Sequence, residues 1–177
     1  AAEPTEVPEE EQVWPREDVP RERTLNYSYP AGQEFGNVGI AVPYATGFSH
    51  QHGDASQSEP MFYYAALNDK TYPWLAESYE YNDDATECTV YLRKGIKWND
   101  GEDLTAEDIA FTFNTLIEKA PDYAQSQFVA NAVETAEVVD DHTLKFMLTE
   151  PTYRFHFTHC TFRFDRAIHL VPKHIFE

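Results

Sequence analysis

The sequence predicts a mixed α/β (α+β) domain in which β-hairpins pack on a central amphipathic helix. Residues 76–93 and 134–148 both alternate apolar and polar side chains around an Asp-Asp turn, and this period of two is typical of hairpins. Between them, residues 105–119 carry apolar side chains at helical spacing. With 177 residues, 42% of them hydrophobic, the chain is long enough to bury one core.

Residues 1–23 have the composition of a tether rather than of a folded segment. They are rich in proline and acidic residues, and Trp14 is their one aromatic residue. Such a stretch buries too little apolar surface to offset the entropy of ordering, and its prolines favour an extended chain. We therefore expect the folded part to begin with an alternating strand at 24–29, followed by a long irregular loop up to residue 53.

The central helix has recognisable signals at both ends. Thr105 is the expected N-cap, and Asp108 stands at the capping-box position. Pro121 follows the expected end of the helix at residue 119. A shorter helix is expected within 123–131, and Pro172 is expected to start another.

The charge of the chain excludes one class of partner. Asp and Glu outnumber Lys and Arg by 31 to 13, which gives a formal net charge of −18. Such a surface repels a phosphate backbone, so no nucleic-acid partner is expected. No apolar run is long enough to cross a bilayer as a helix, so we expect contact with a membrane only through a tether.

Several segments, taken in order, resemble one protein family. They are residues 59–62 (EPMF), 72–79 (YPWLAESY), 92–102 (LRKGIKWNDGE), 104–113 (LTAEDIAFTF), 138–143 (VVDDHT) and 171–176 (VPKHIF). Their order and spacing resemble the family 5 extracellular solute-binding proteins, which are the dipeptide, oligopeptide and nickel receptors of ABC importers. The resemblance runs from residue 24 to residue 177 and covers only the N-terminal portion of the family's length.

The resemblance implies a place in a larger fold. Members of the family form two lobes around a cleft, in the type II arrangement of periplasmic binding proteins. By this resemblance, residues 24–53 supply the first strand and cleft loop of lobe one, residues 54–158 its accessory subdomain, and residues 159–177 the return to lobe one. The second lobe, with the acidic residue that binds a peptide's amino terminus in many members, has no counterpart in these residues.

The function that the resemblance implies is solute capture without chemistry. We expect the substrate-binding component of an ABC importer, which captures a peptide, or else an oligosaccharide, outside the cytoplasmic membrane and delivers it to the permease subunits. The expected location is the periplasm or the cell surface, with a lipid anchor ahead of the tether. No catalysis and no cofactor are expected.

The loop from residue 44 to residue 50 is the expected ligand site. The resemblance places this loop between the first strand and the next helix, where lobe one faces its ligand. The loop combines hydrogen-bonding groups with an apolar ring, which is the usual mixture in a ligand pocket. The candidate residues are Tyr44, Thr46, Phe48, Ser49 and His50.

A metal site is an alternative in the same loop. His50 and His52 lie close to Asp54, and imidazole and carboxylate groups are common metal ligands. A nickel-type receptor or a sensory binding protein would use such a pair. A polar loop that ends in a helix cap also explains these residues, and no third strong ligand is evident, so no metal is expected.

A hydrolase is the alternative from another functional class. Asp100, Glu102 and Asp103 provide the carboxylates that glycoside hydrolysis uses. Acidic residues beside a Gly turn and just before a helix N-terminus also stabilise the helix dipole, and the structural explanation is the better one. Trp98 precedes this cluster, and we expect its ring to be structural.

The two cysteines leave two interpretations open. Cys88 alternates with Val90 and Leu92, as a small buried side chain does. A Cys88–Cys160 disulfide is also compatible with an exported protein.

Overall fold

Two β-sheets and one long helix make up the described part of the protein. In the computed structural model this part comprises Tyr44, residues 58–163 and residues 167–177, all within the unit formed by residues 35–177. The expected tether at 1–23, the strand at 24–29 and most of the expected cleft loop lie outside it. In chain order the elements are β1 (Phe62–Ala65), β2 (Lys70–Pro73), β3 (Ala76–Tyr81), β4 (Glu87–Leu92), α1 (Ala106–Glu118), α2 (Ser126–Ala130), β5 (Val133–Asp140), β6 (Thr143–Leu148), α3 (Phe155–His159), β7 (Thr161–Phe162) and α4 (Lys173–Phe176).

The larger sheet consists of the two hairpins that the sequence predicts. β3 pairs with β4 and β5 with β6, and the strand order β3-β4-β6-β5 is antiparallel throughout. The hairpins join where β4 meets β6, with Cys88 opposite Phe146 and Val90 opposite Leu144. These four side chains are fully buried, so the two hairpins present one continuous apolar face.

Helix α1 packs against the larger sheet. Ile109, Phe113 and Leu116 are buried, and the Phe113 ring lies 4.7 Å from that of Phe146 between centroids. Burying a side chain of this size contributes about 1.5–3 kcal/mol. The capping box is confirmed, because the Thr105 side chain accepts from the helix backbone while the Asp108 carboxylate accepts from the Thr105 N–H at 2.9 Å.

A side-chain amide also fastens α1 to the sheet. Asn114 donates from Nδ2 to the carbonyl of Ala136 on β5 and accepts from the Ala136 N–H at Oδ1, both at 2.9 Å. The amide thus satisfies both backbone groups of one residue of β5, where a strand partner would otherwise be needed. This pairing fixes the position of the helix along β5.

The smaller sheet was not predicted as a sheet. Its order is β2-β1-β7, with β1 antiparallel to β2 and parallel to β7. β1 and β2 are joined by a turn at residues 66–69. β7 is two residues long and follows the five-residue helix α3, and neither element is long enough to show a period in the sequence.

Residues 167–177, called the return segment below after the expectation from the sequence, are held by the polar side of α1. The backbone N–H of Val171 donates to the hydroxyl of Thr112 at 3.1 Å, and that of Lys173 donates to the Asp108 carboxylate at 2.8 Å. The short helix α4 then begins after Pro172, as the sequence predicts.

Cys88 and Cys160 are both buried free thiols. Burial raises the pKa of the Cys88 thiol to about 12 and that of Cys160 well above its usual range, so neither is a ready thiolate. Within residues 58–163 and 167–177, no helix is long and apolar enough to cross a membrane.

Candidate functional site

Tyr44 is the expected ligand residue that the structure describes. Its side chain is buried, and its hydroxyl donates a hydrogen bond to the backbone carbonyl of His169. Its own carbonyl accepts from the N–H of Ala124 at 3.1 Å. Burial raises the pKa of the Tyr44 hydroxyl, which therefore remains a protonated donor. Tyr44 is thus anchored through both its backbone and its side chain.

The other candidates of this loop lie outside the described residues. They are Thr46, Phe48, Ser49 and His50, together with His52 and Asp54 of the alternative metal site. The structure therefore describes the point from which the candidate loop starts, and the partners that hold that point in place.

The first of these partners is the turn that follows α1. Tyr123 lies in this turn, and its carbonyl accepts two hydrogen bonds from Ser126, from the N–H at 3.1 Å and from the hydroxyl at 2.6 Å. Gln125, which directly precedes Ser126, has a left-handed backbone, with φ at 66°. The backbone of the turn is thereby fixed, whereas the Tyr123 side chain is 44% exposed. The sequence predicts that Tyr123 lies at the start of a helix and gives no signal that it binds a ligand.

A stack of three rings lies beside the same turn. Phe128 on α2 stacks on His159, with ring centroids 4.2 Å apart and planes 17° apart, and His159 stacks on Phe155 at 5.0 Å and 22°. Phe155 is fully buried and Phe128 is 47% exposed, so the stack runs from the core to the surface. Burial is the main reason why the pKa of His159 falls to about 4.

The return segment connects this stack to Tyr44. The N–H of Ile168 donates to the carbonyl of His159 at 3.3 Å, and the next residue, His169, accepts the Tyr44 hydroxyl. Tyr44 in turn accepts from Ala124 in the turn that leads into α2. Tyr44, the turn and the ring stack therefore form one closed set of contacts. The spacing of the sequence gives no signal for it, because its members come from four separate segments.

A serine–histidine pair also lies in this region. The hydroxyl of Ser58 is 2.8 Å from Nδ1 of His169. This hydrogen bond joins the segment before β1 to the return segment, which is a structural role. A hydroxyl beside an imidazole is one part of a nucleophilic site, but a nucleophile also needs a group that orients the histidine and donors for an oxyanion.

Two carboxylates of the acidic cluster considered for a hydrolase have basic side chains as partners. Asp103 forms an ion pair with Lys97, and Oδ2 of Asp100 lies 2.7 Å from Nε2 of His174. The hydrogen bond from His174 lowers the pKa of Asp100, whereas a general acid needs a carboxyl with a raised pKa. Among the described residues, no group of three or more His, Cys, Asp or Glu is placed to hold a metal ion.

Comparison with known proteins identifies the family. The model of "Bacterial extracellular solute-binding proteins, family 5 Middle" matches residues 70–171, which is more than half of the chain. The matched stretch contains the larger sheet, α1 and the turn that holds Tyr44. The chain belongs to the family 5 extracellular solute-binding proteins. The resemblance seen in the sequence is thus confirmed.

Two peptide-binding proteins of Escherichia coli are similar to this chain over about half of its length. The dipeptide-binding protein of Escherichia coli K12 is 29% identical over 99 residues, and the periplasmic oligopeptide-binding protein OppA of that strain is 33% identical over 100 residues. These matches cover 47% and 48% of this chain but 18% of each relative. The relatives are named as binding proteins and not as enzymes.

Solved structures confirm the fold class. A mannohexaose-bound periplasmic oligopeptide-binding protein of Thermotoga maritima is 39% identical, with a TM-score of 0.56, over 67% of this chain and 21% of that protein. NikA of Brucella suis in complex with Fe(III)-EDTA is 29% identical, with a TM-score of 0.57, over 68% of this chain and 24% of that protein. The described residues therefore form part of a two-lobed, type II periplasmic-binding-protein fold, and the chain spans less than a quarter of each of these proteins.

Proposed function

We propose that the protein is the substrate-binding component of an ABC importer and that it captures a peptide, with an oligosaccharide as the second choice. Membership of family 5 carries this proposal. Relatives named for dipeptides and oligopeptides favour a peptide, and the mannohexaose bound to the Thermotoga maritima relative favours keeping the oligosaccharide. Binding closes two lobes around the solute without covalent chemistry, so we propose no enzymatic activity.

The solute site that we propose starts at Tyr44. Thr46, Phe48, Ser49 and His50 follow it along the chain and offer hydrogen bonds and one apolar ring. Because the Tyr44 hydroxyl is already bound to the His169 carbonyl, its role in this proposal is to hold the loop in position.

Tyr123 is an addition to this site that the structure suggests. The N–H of its neighbour Ala124 binds the Tyr44 carbonyl, so the backbone that carries the Tyr123 ring is fixed to Tyr44. An exposed tyrosine on a fixed backbone offers a solute both an apolar face and a hydroxyl.

The partners and the location follow from the same proposal. The protein would work outside the cytoplasmic membrane and pass its solute to the permease subunits. Residues 1–23 would serve as the tether to a lipid anchor, in keeping with their proline-rich and acidic composition.

A metal chelate is a third candidate solute, after a peptide and an oligosaccharide. The observation that favours it is the similarity to NikA of Brucella suis, which was solved with Fe(III)-EDTA. His50 and His52 would be the residues of this chain that contact such a solute.

Mass spectrometry of retained solutes tests these alternatives. The full-length protein is incubated with peptide and oligosaccharide pools and desalted, and the bound fraction is analysed together with its metal content. We expect retained, uncleaved peptide. Cleavage products would indicate a hydrolase, retained metal would indicate the chelate receptor, and no retained solute of any class would contradict the proposal.

A further inference from the structure

We infer that Phe128 is a stacking platform in the solute site and that it selects solutes that present a ring face, either an aromatic side chain of a peptide or a pyranose of an oligosaccharide. This inference rests on the proposed receptor function and adds to it the chemical group that the site prefers.

The support beneath the ring sets Phe128 apart from an ordinary exposed side chain. Single apolar residues on a surface are common and need no explanation. Phe128, however, is covered on one face by His159 at 4.2 Å, and His159 is covered in turn by buried Phe155. Phe128 nevertheless remains 47% exposed, so part of its surface is available for contact with a solute.

The stack also holds the ring in one orientation. Nδ1 of His159 is 2.8 Å from the Thr158 hydroxyl, and Nε2 of His159 is 3.4 Å from the carbonyl of Phe128 itself. Since the pKa of His159 is about 4, the imidazole is neutral at pH 7 and adds no charge to the platform. A ring that is fixed before binding loses little entropy when a solute stacks on it.

The position of the platform assigns it to the solute site. α2 follows directly from the turn that binds the Tyr44 carbonyl, and Phe128 is four residues beyond Ala124. On the other side, His159 binds Ile168, and the neighbouring His169 binds the Tyr44 hydroxyl. The platform is therefore fixed to the same backbone segments as the residue from which the candidate loop starts.

Calorimetry on the full-length protein tests the selectivity. The solutes are the matched peptides Ala-Phe-Ala and Ala-Ala-Ala, with mannohexaose as the oligosaccharide arm. Phe128→Ala removes the ring, and Phe128→Tyr keeps it. Phe176→Ala is the matched control, because it removes a ring from α4 that is 43% exposed, against 47% for Phe128. Melting temperatures show whether each variant is folded.

We expect Phe128→Ala to weaken binding of Ala-Phe-Ala about tenfold, the amount that one stacked ring supplies, and to change Ala-Ala-Ala less than twofold. Phe128→Tyr and Phe176→Ala leave both affinities unchanged. If the solute is an oligosaccharide, the tenfold loss appears with mannohexaose instead.

Two outcomes contradict the stacking role of Phe128 without contradicting the proposed receptor function. One is an equal loss for both peptides in a folded Phe128→Ala variant, which means that the ring supports the fold only. The other is binding of Ala-Phe-Ala by the wild-type protein without a change in the NMR signals of the Phe128 ring, since an aromatic side chain stacked on Phe128 shields those protons. A wild-type protein that retains no solute of any class from the pools contradicts the proposed function itself, and this is seen before any variant is made.

Discussion

Asp108 shows how one side chain serves two distant segments. One carboxylate oxygen accepts from the Thr105 N–H and closes the capping box, and the other accepts from the Lys173 N–H in the return segment. The residue is 6% exposed, so water does not readily replace either bond. The first role is local and follows from the spacing of Thr105 and Asp108. The second role joins residues that are 65 positions apart, and no local pattern encodes it.

Asp108→Ala is therefore expected to lower the free energy of unfolding by more than the loss of a helix cap alone does. Loss of the cap and of the bond to the return segment together lowers the free energy of unfolding by about 2–3 kcal/mol. Urea denaturation measures it, with the exposed turn residue Asp84→Ala as the matched control, for which we expect no change. An equal effect of the two substitutions would show that the carboxylate of Asp108 holds neither segment.

The pair His174 and Asp100 provides a test by pH. The hydrogen bond with Asp100 raises the pKa of His174 above its ordinary 6.5, and the same bond lowers the pKa of Asp100 below its ordinary 3.8. The stabilisation from His174 is complete below pH 6.5 and is lost as the pH rises through its raised pKa. That from Asp100 is complete above pH 3.8 and is lost as the pH falls through its lowered pKa.

NMR titration of the His174 ring measures this coupling. We expect Asp100→Asn to lower the pKa of His174 towards 6.5. Glu102→Gln is the matched control and lowers it less, because Glu102 acts on His174 only through its charge. A His174 pKa that is unaffected by Asp100→Asn would rule out the hydrogen bond.

At the scale of the elements, the sequence predicts whatever repeats locally. The two hairpins and α1 are confirmed because strands of six to eight residues and a helix of 13 residues are long enough to show their periods. α3 and β7 were missed because each is too short for a pattern. β7 forms because Thr161 pairs with Phe62 of β1 in parallel, and these two residues are far apart in the sequence.

The segment between β4 and α1 also follows from local chemistry. Gly95 and Gly101 have φ of 76° and 98°, which residues with a side chain rarely adopt. Between these two turns, Trp98 packs against the core, and its indole N–H is shielded from solvent with no hydrogen-bond partner among the described residues. The expectation that Trp98 is structural therefore remains a prediction, and it now has a more specific form.

Two substitutions separate the packing of Trp98 from its N–H. Trp98→Ala is expected to cost about 3 kcal/mol because it removes a large, half-buried side chain that packs against the core. Trp98→Phe is expected to cost less than about 1 kcal/mol, since it keeps a ring and deletes the unpartnered donor. Urea denaturation gives both values. If Trp98→Ala changed solute affinity but not stability, the ring would belong to a binding site instead.

At the scale of the whole molecule, the sequence predicts the protein family better than it predicts which residues form the candidate site. The family follows from segments in order, and the structure and the relatives agree with it. Of the candidate loop, the structure describes Tyr44, which proves to be buried and bound to His169. The neighbouring Tyr123 and the stack of Phe128 on His159 were not predicted, because their position depends on how separate segments pack.

The last prediction concerns how much binding these residues support by themselves. A cleft between two lobes takes contacts from both, and the chain corresponds to 21% of the Thermotoga maritima relative. Without the second lobe, closure cannot exclude water, so polar contacts to the solute compete with solvent.

We therefore expect the 177-residue chain to bind its solute far more weakly than the full-length protein does. A micromolar solute is bound with about 8 kcal/mol, and loss of half of that energy moves the dissociation constant to the millimolar range or beyond. Calorimetry with the same peptide on both proteins decides the question, and the melting temperature of the chain shows that it is folded. Equal affinities would mean that the segments around Tyr44 bind the solute without a second lobe, and the site would then have to lie entirely within lobe one.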